Sequence, residues 1–170
     1  MSARKRSSAG LLLFRRRGDE LEVFIAHMGG PFWANKDDGA WSIVKGEYDD
    51  EAEDAFAAAC REFTEETGSA PPEGPTLDLG EIRQSSGKRV RAWAIESDFD
   101  PATVRSNTFT IEWPRGSGRQ QEFAEIDRAA WFDVQTAREK LVKGQRALLG
   151  VLEERLRSDP VGTGEPPDAG

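Results

Sequence analysis

Three glutamates, Glu62, Glu65 and Glu66, stand within five positions of one another, with Arg61 directly before them. On a helix each residue advances by about 100°, so the three carboxylates share one arc of roughly 100° beside an apolar stripe of Phe56, Ala59, Cys60 and Phe63. Like charges this close repel, and a position near a helix C-terminus also sets them against the helix dipole. A hard divalent cation removes the conflict, because Mg²⁺ and Mn²⁺ take oxygen ligands and share them with substrate phosphates. The chemistry expected is cation-assisted handling of phosphate. Arg61, four residues before Glu65, is placed to hold a carboxylate by a charge-assisted bond. Ala55 and Ala58, one turn back, are small enough to leave room for ions and substrate. The competing reading of such a run is a solvated acidic face.

Positioning these groups requires a helix and a sheet to support it. The apolar spacing predicts a helix from about Glu53 to Thr67, stopped by Gly68 and capped by either Asp50, with Glu53 three residues on, or Asp54. Upstream, Leu11 to Arg17 and Glu20 to Met28 are strand-like and joined by the hairpin signal Gly18-Asp19. Gly29 to Ala40 is a loop, and Trp41 to Lys45 a short strand ending at Gly46. Downstream, strands are expected over Leu77 to Gln84, Arg89 to Ser97, Thr108 to Trp113 and Arg128 to Phe132, with a polar loop over Arg115 to Gln121. Val134 to Arg157 has helical period broken near Lys143-Gly144, giving two helices, the second burying Leu148, Leu149, Leu152 and Leu156. Without regular βαβ alternation, the pattern predicts an α/β fold with a mixed sheet flanked by helices.

Composition narrows the possibilities. A chain of 170 residues, 37% hydrophobic and 32% charged, suits one folded domain, expected over residues 10–157 between flexible tails at 1–9 and 158–170. Between Glu47 and Glu66 there are nine acidic residues and one basic, Arg61, so this stretch alone matches the formal net charge of −8. Such a surface repels nucleic acid and anionic lipid, so neither a stable nucleic-acid complex nor a membrane partner is expected. The apolar run Leu11 to Phe14 is too short for a signal core and is followed by Arg15, Arg16 and Arg17. With a single cysteine, Cys60, no internal disulfide can form, and a cytoplasmic setting is expected. The single histidine, His27, excludes a two-histidine zinc site, and no P-loop or EF-hand pattern occurs.

The stretch Arg61-Glu62-Phe63-Thr64-Glu65-Glu66-Thr67-Gly68 resembles the signature of the Nudix hydrolases, R-E-U-x-E-E-x-G-U with U bulky and apolar. Glu53 matches the earlier glutamate of that signature and Gly46 its leading glycine. Two departures stand out. Six residues separate Gly46 from Glu53 where the family has five, and Ser69 stands where a bulky residue is usual. The segments Trp41 to Tyr48 and Trp131-Phe132-Asp133 are similar to a bacterial subgroup of predicted nucleoside triphosphate pyrophosphohydrolases. The resemblance implies an α/β/α sandwich and Mg²⁺- or Mn²⁺-dependent cleavage of the pyrophosphate linkage in a nucleoside diphosphate derivative, such as a nucleoside triphosphate or dinucleoside polyphosphate. It implies Glu62, Glu65 and Glu66 as metal ligands, with Gly46 contributing its carbonyl. Glu53 becomes a further acidic member, and Arg61 the residue that orients a glutamate.

A carboxylate must also take a proton from the attacking water. Glu62 is one candidate and Glu125 another, since several members of the family draw this base from outside the signature. For the nucleotide, Phe32, Trp33 and Trp41 are candidates for stacking on a base, and Lys36, Lys88 and Arg91 for phosphate contacts. For Trp41, in a strand, core packing is the favoured alternative; His27 reads as structural, with contact to substrate as its alternative, and Cys60 as a small core residue. The alternative function is a Nudix-fold module that binds a nucleotide, or regulates through it, without cleaving it.

Overall fold

The run Leu11-Leu12-Leu13-Phe14 has no polar alternation, so it demands a strand covered on both faces. In the computed structural model, which describes residues 7–84 and 86–158, that strand is β1 (Ser7–Arg17), at the centre of a seven-stranded mixed sheet. One edge of β1 pairs in parallel with β6 (Arg89–Glu96), and β5 (Thr76–Arg83) lies antiparallel beyond it. The other edge is divided between two partners. Leu13 to Arg17 pair antiparallel with β2 (Glu20–Met28), whereas Ser7 to Leu11 pair antiparallel with β4 (Val44–Tyr48). The short β3 (Trp41–Ser42) pairs with the far end of β2, and β9 (Ile126–Asp133) covers the outer edge of β2. Beyond Leu13 and Phe24, β1 and β2 therefore splay apart, and segment 41–48 wedges into the gap.

That segment changes partners at Ile43. Its amide cannot join either ladder and instead donates to Oε1 of the buried Gln145 at 2.9 Å, while Gln145 Nε2 donates to Ser42 Oγ at 3.0 Å. A buried amide left without an acceptor would cost about 1–3 kcal/mol, so Gln145 is what lets the chain cross from one strand to the other.

Alternate residues of β1 feed two cores. Leu12 and Phe14 join Val23, Ile25, Trp41 and Ile43 beneath α2 (Val134–Lys140) and α3 (Ala147–Ser158), where Leu148, Leu149, Leu152 and Leu156 are all buried. Leu11 and Leu13 join Phe24, Val44 and Phe63 beneath α1 (Ala55–Thr67). The result is an α/β fold with helices on both sides of a mixed sheet. A second sheet, the hairpin of β7 (Thr108–Glu112) and β8 (Gln120–Ala124), leads into β9. Among the described residues no helix is long and apolar enough to cross a membrane.

Of the two capping candidates it is Asp54 that caps α1. Its Oδ2 accepts from Ala57 N at 3.1 Å, and Gly68 closes the other end at φ 77° with its N–H on Thr64 O at 2.8 Å. Asp54→Ala should cost about 1 kcal/mol in urea unfolding; no change would mean that the cap contributes nothing to α1.

Several expectations need correction. β1 begins at Ser7, and Ser7, Ser8 and Ala9 are buried, so residues 7–9 are part of the sheet; residues 1–6 and 159–170, most of the expected tails, lie outside the described residues, as does Ser85. Gly46 does not end the strand that precedes it but lies inside β4. The polar stretch expected as loop to Gln121 enters β8 at Gln120. Ala58 is fully buried against the sheet, so it opens no space for ions or substrate.

Candidate active site

Arg61 is the organising residue of α1. Its Nε and Nη2 form a two-pronged contact with both oxygens of Glu53, each at 2.8 Å, while Nη1 donates to Glu62 Oε1 at 2.9 Å and to both Glu65 oxygens at 3.2 Å. One guanidinium thus gathers three carboxylates, which only a rigid fork can do. It holds the Glu53 carboxyl below its ordinary range, and those hydrogen bonds raise its own affinity for its proton. Arg61→Lys keeps the charge but not the fork, so the Glu53 carboxyl should titrate closer to its ordinary range, which side-chain carboxyl shifts followed against pH by nuclear magnetic resonance would show.

Glu62 is 7% exposed and lies against Gly46 of β4. A Cβ added at Gly46 would fall 1.8 Å from Glu62 Oε2, so this strand position has to be glycine for the carboxylate to fit. The residue extra to the family spacing is absorbed in the turn after β4, where Ala52 N and Glu53 N both donate to Asp49 O at 3.0 and 2.9 Å. Gly46 therefore still meets the helix at the expected glutamate.

Glu62 and Glu66 face a cleft of about 450 Å³ that also takes in Lys45, Glu47, Lys88 and Glu125. It opens where β2 and β4 diverge. Removal from water pushes the Glu66 carboxyl up to about 7, and repulsion from Glu125, Glu62 and Glu65 adds to the rise. Glu62 and Glu125 are also raised, chiefly by lost solvation, with Arg61 opposing the rise at Glu62. The same desolvation draws the Lys45 ammonium down to about 8. Such perturbed groups gathered in one cleft make it the candidate functional site.

The oxygen-bearing side chains among the residues that line the cleft are the carboxylates of Glu47, Glu62, Glu66 and Glu125 and the Ser42 hydroxyl. His27 also lines it, but its Nδ1 is bonded to Asp127 Oδ1 at 2.7 Å and its Nε2 to Lys36 O at 2.6 Å, so neither nitrogen is open to an ion. This set suits a hard cation such as Mg²⁺ or Mn²⁺ and not zinc. As placed, no three acidic, histidine or cysteine side chains among the described residues stand close enough to hold an ion jointly.

The expected residues divide. Glu62, Glu66, Gly46, Glu125 and Lys88 meet in the cleft, Lys88 with its Nζ 2.9 Å from Glu47 Oε1. Glu65 shares the Arg61 clamp but does not line the cleft. Nor does Arg91, which pairs with Asp78 at 2.5 Å and stacks over Trp93. Trp33 packs against the core, with Lys36 above its ring. Phe32 is 52% exposed and meets Trp113 edge-on at 5.4 Å between centroids. Its loop is tied beside the cleft by Gly29 N, which donates to Glu125 O at 2.9 Å. Lys45 and Trp113 were not singled out by sequence reasoning. The signal for Lys45 was its place next to Gly46; Trp113 read only as the last residue of the strand expected over Thr108 to Trp113, and its meeting with Phe32 is a tertiary contact that no local pattern marks.

A seven-stranded mixed sheet between helix layers, with a helix of clustered glutamates packed against a glycine strand, defines an α/β sandwich domain. The NUDIX domain family model matches residues 4–150, and the chain belongs to that family. No match is found among curated proteins. Among solved structures, the chain is similar to a mutT/nudix family protein from Listeria innocua (17% identity, TM-score 0.61, covering 94% of this chain and 99% of that one). It is also similar to the NUDIX domain of Shewanella oneidensis NrtR complexed with ADP ribose (15%, 0.60, 91% and 90%) and to a Caenorhabditis elegans Ap4A hydrolase (20%, 0.59, 90% and 98%). At these identities the likeness is one of fold.

Proposed function

We propose that the protein is a Nudix-type pyrophosphohydrolase that cleaves the pyrophosphate linkage of a nucleoside diphosphate derivative with Mg²⁺ or Mn²⁺. The observation that carries this reading is the convergence of Glu62 and Glu66 from α1 with Glu125 from outside the signature on one cleft, backed by Gly46. Family membership and the neighbouring Ap4A hydrolase fold support it.

Glu62 and Glu66, with the Gly46 carbonyl, would hold the cation; Glu65, set at the Arg61 clamp, is the further signature ligand. A bound cation would neutralise the pyrophosphate and acidify the attacking water. Catalysis of this kind is mostly positioning and charge stabilisation. Arg61 fixes Glu62 and Glu65 in orientation. Glu62 or Glu125 accepts the proton of the water, both having a carboxyl raised toward the working pH. Lys88 stands where it can meet a phosphate, and the exposed Phe32 with Trp113 offers a ring face to a base.

The test is product analysis by chromatography with nucleoside triphosphates, dinucleoside polyphosphates and ADP-ribose, each with Mg²⁺, Mn²⁺ or EDTA. Cation-dependent release of a nucleoside phosphate supports the proposal. Tight binding of one of these compounds with no turnover would favour the regulatory alternative, in line with the ADP-ribose-bound NrtR domain. Comparing Glu62→Gln with Glu125→Gln identifies the base, whose loss removes the acidic limb of the pH–rate profile.

A further inference from the structure

The carboxylates and Lys88 of the cleft have proposed work; the second cation there, Lys45, does not. Lys45 stands on β4 between Val44, packed beneath α1, and Gly46, packed against Glu62. Its strand partner is Gly10, where an added Cβ would fall 2.6 Å from Lys45 Cβ, so close packing behind the stem fixes where it starts. The charges acting on its ammonium are Lys88, Glu47, Glu66 and Glu62, and it is the cation that acts on Glu125. The neighbouring cations are committed: Arg61 to Glu53, Glu62 and Glu65, Lys88 to Glu47, and Arg91 to Asp78. Among the described residues the Lys45 ammonium has no side-chain hydrogen bond or ion pair, although the residue is half-buried and lines the cleft. An ammonium stripped of water without a fixed partner is a cost that a purely structural position would avoid with an apolar side chain. A compact point charge with three donors suits the non-bridging oxygens of a phosphate chain.

We propose that Lys45 is a substrate-binding residue that receives the phosphate chain from the β4 wall, across from the carboxylates, and that its charge weakens cation binding while no phosphate is present. This rests on the pyrophosphohydrolase reading. It assigns a residue outside the family signature and predicts opposite signs for two binding events, which a merely structural role does not.

The test measures Mn²⁺ binding by electron paramagnetic resonance and inorganic pyrophosphate binding by calorimetry at saturating Mn²⁺, using intact protein. Lys45→Met should weaken pyrophosphate binding about tenfold or more, the order expected for a lost charge-assisted contact. The same variant should bind Mn²⁺ alone a few-fold more tightly, since a like charge has gone. Lys45→Arg should recover most of the pyrophosphate affinity. Lys143→Met, an exposed cation away from the cleft, controls for net charge and should change neither. Pyrophosphate affinity within twofold of wild type in Lys45→Met, or looser Mn²⁺ binding, overturns the assignment while leaving the hydrolase reading intact. Wild-type protein that binds no pyrophosphate with Mn²⁺ sinks both. Circular dichroism identifies an unfolded Lys45→Met, in which case Lys45→Gln decides by the same two signs.

Discussion

Glu66→Gln should lower kcat with Mg²⁺ by about a thousandfold, the upper range for removing one charged group from a phosphoryl-type site, while the fold persists. The side chain keeps its shape and loses only its charge, in a cleft where removal from water and three other glutamates already resist that charge. The same substitution should change how the metal-free protein responds to pH. The Glu66 carboxyl rises from 4.5 to about 7 on folding, so the native state holds the proton more tightly than the unfolded chain. Its contribution to stability is fully present below pH 4.5 and is lost as pH rises through about 7. Because part of the group remains solvated, the expected loss is roughly 1–2 kcal/mol. Urea unfolding in EDTA at pH about 5 and about 8 should show this loss in wild type and not in the variant. Identical pH dependence in both, or turnover within a few-fold, would falsify the placement of Glu66 in the site.

Gly46→Ala carries the second large effect, about a hundredfold in kcat, with a melting temperature within a few degrees of wild type. The new methyl would meet the Glu62 side chain first, with Oε2 at 1.8 Å, Cδ at 2.0 Å and Cγ at 2.7 Å, so the side chain swings aside and the backbone stays. The loss of rate comes from displacement, not unfolding. A double-mutant cycle separates this from a general defect. In a Glu62→Ala background the contacting atoms are gone, and Gly46→Ala should then cost far less than in wild type. Additive losses would show that Gly46 acts through something other than Glu62.

Much of this arrangement was legible in the sequence because local chemistry and tertiary demand agree there. The helix over 55–67 has apolar spacing, a cap and a glycine stop, and its glutamates sit where repulsion needs a cation to relieve it. The Gly18-Asp19 turn fixed the first hairpin. Disagreement came where small or polar residues serve the sheet. Ser7 to Ala9 read as a fraying end, yet are buried because β1 there pairs on both edges, and neighbours this close admit only small side chains. Gln120 and Gln121 read as loop because β8 lies in a two-stranded hairpin with exposed polar residues, which leaves no apolar alternation to detect. At the site, spacing along α1 could nominate Glu62, Glu65 and Glu66 alike, but not which of them a single arginine would draw aside. Nor could it place Lys45 among them, since that depends on where β2 and β4 part.

The wedge formed by segment 41–48 also partitions the molecule's tolerance to change. The strand that fills the opening between β1 and β2 is the one that carries Lys45 and Gly46, and its transfer between neighbours hangs on the single amide of Gln145. An insertion there would deform the central sheet and the cleft together. The β7–β8 hairpin contributes to neither ladder of the main sheet, but its base holds Glu125, whose N–H donates to Asn107 O at 2.8 Å, so only its tip, 113–119, can be lengthened or exchanged without disturbing the carboxylates. Variation is therefore most readily accepted at that tip, on a frame whose chemistry stays constant.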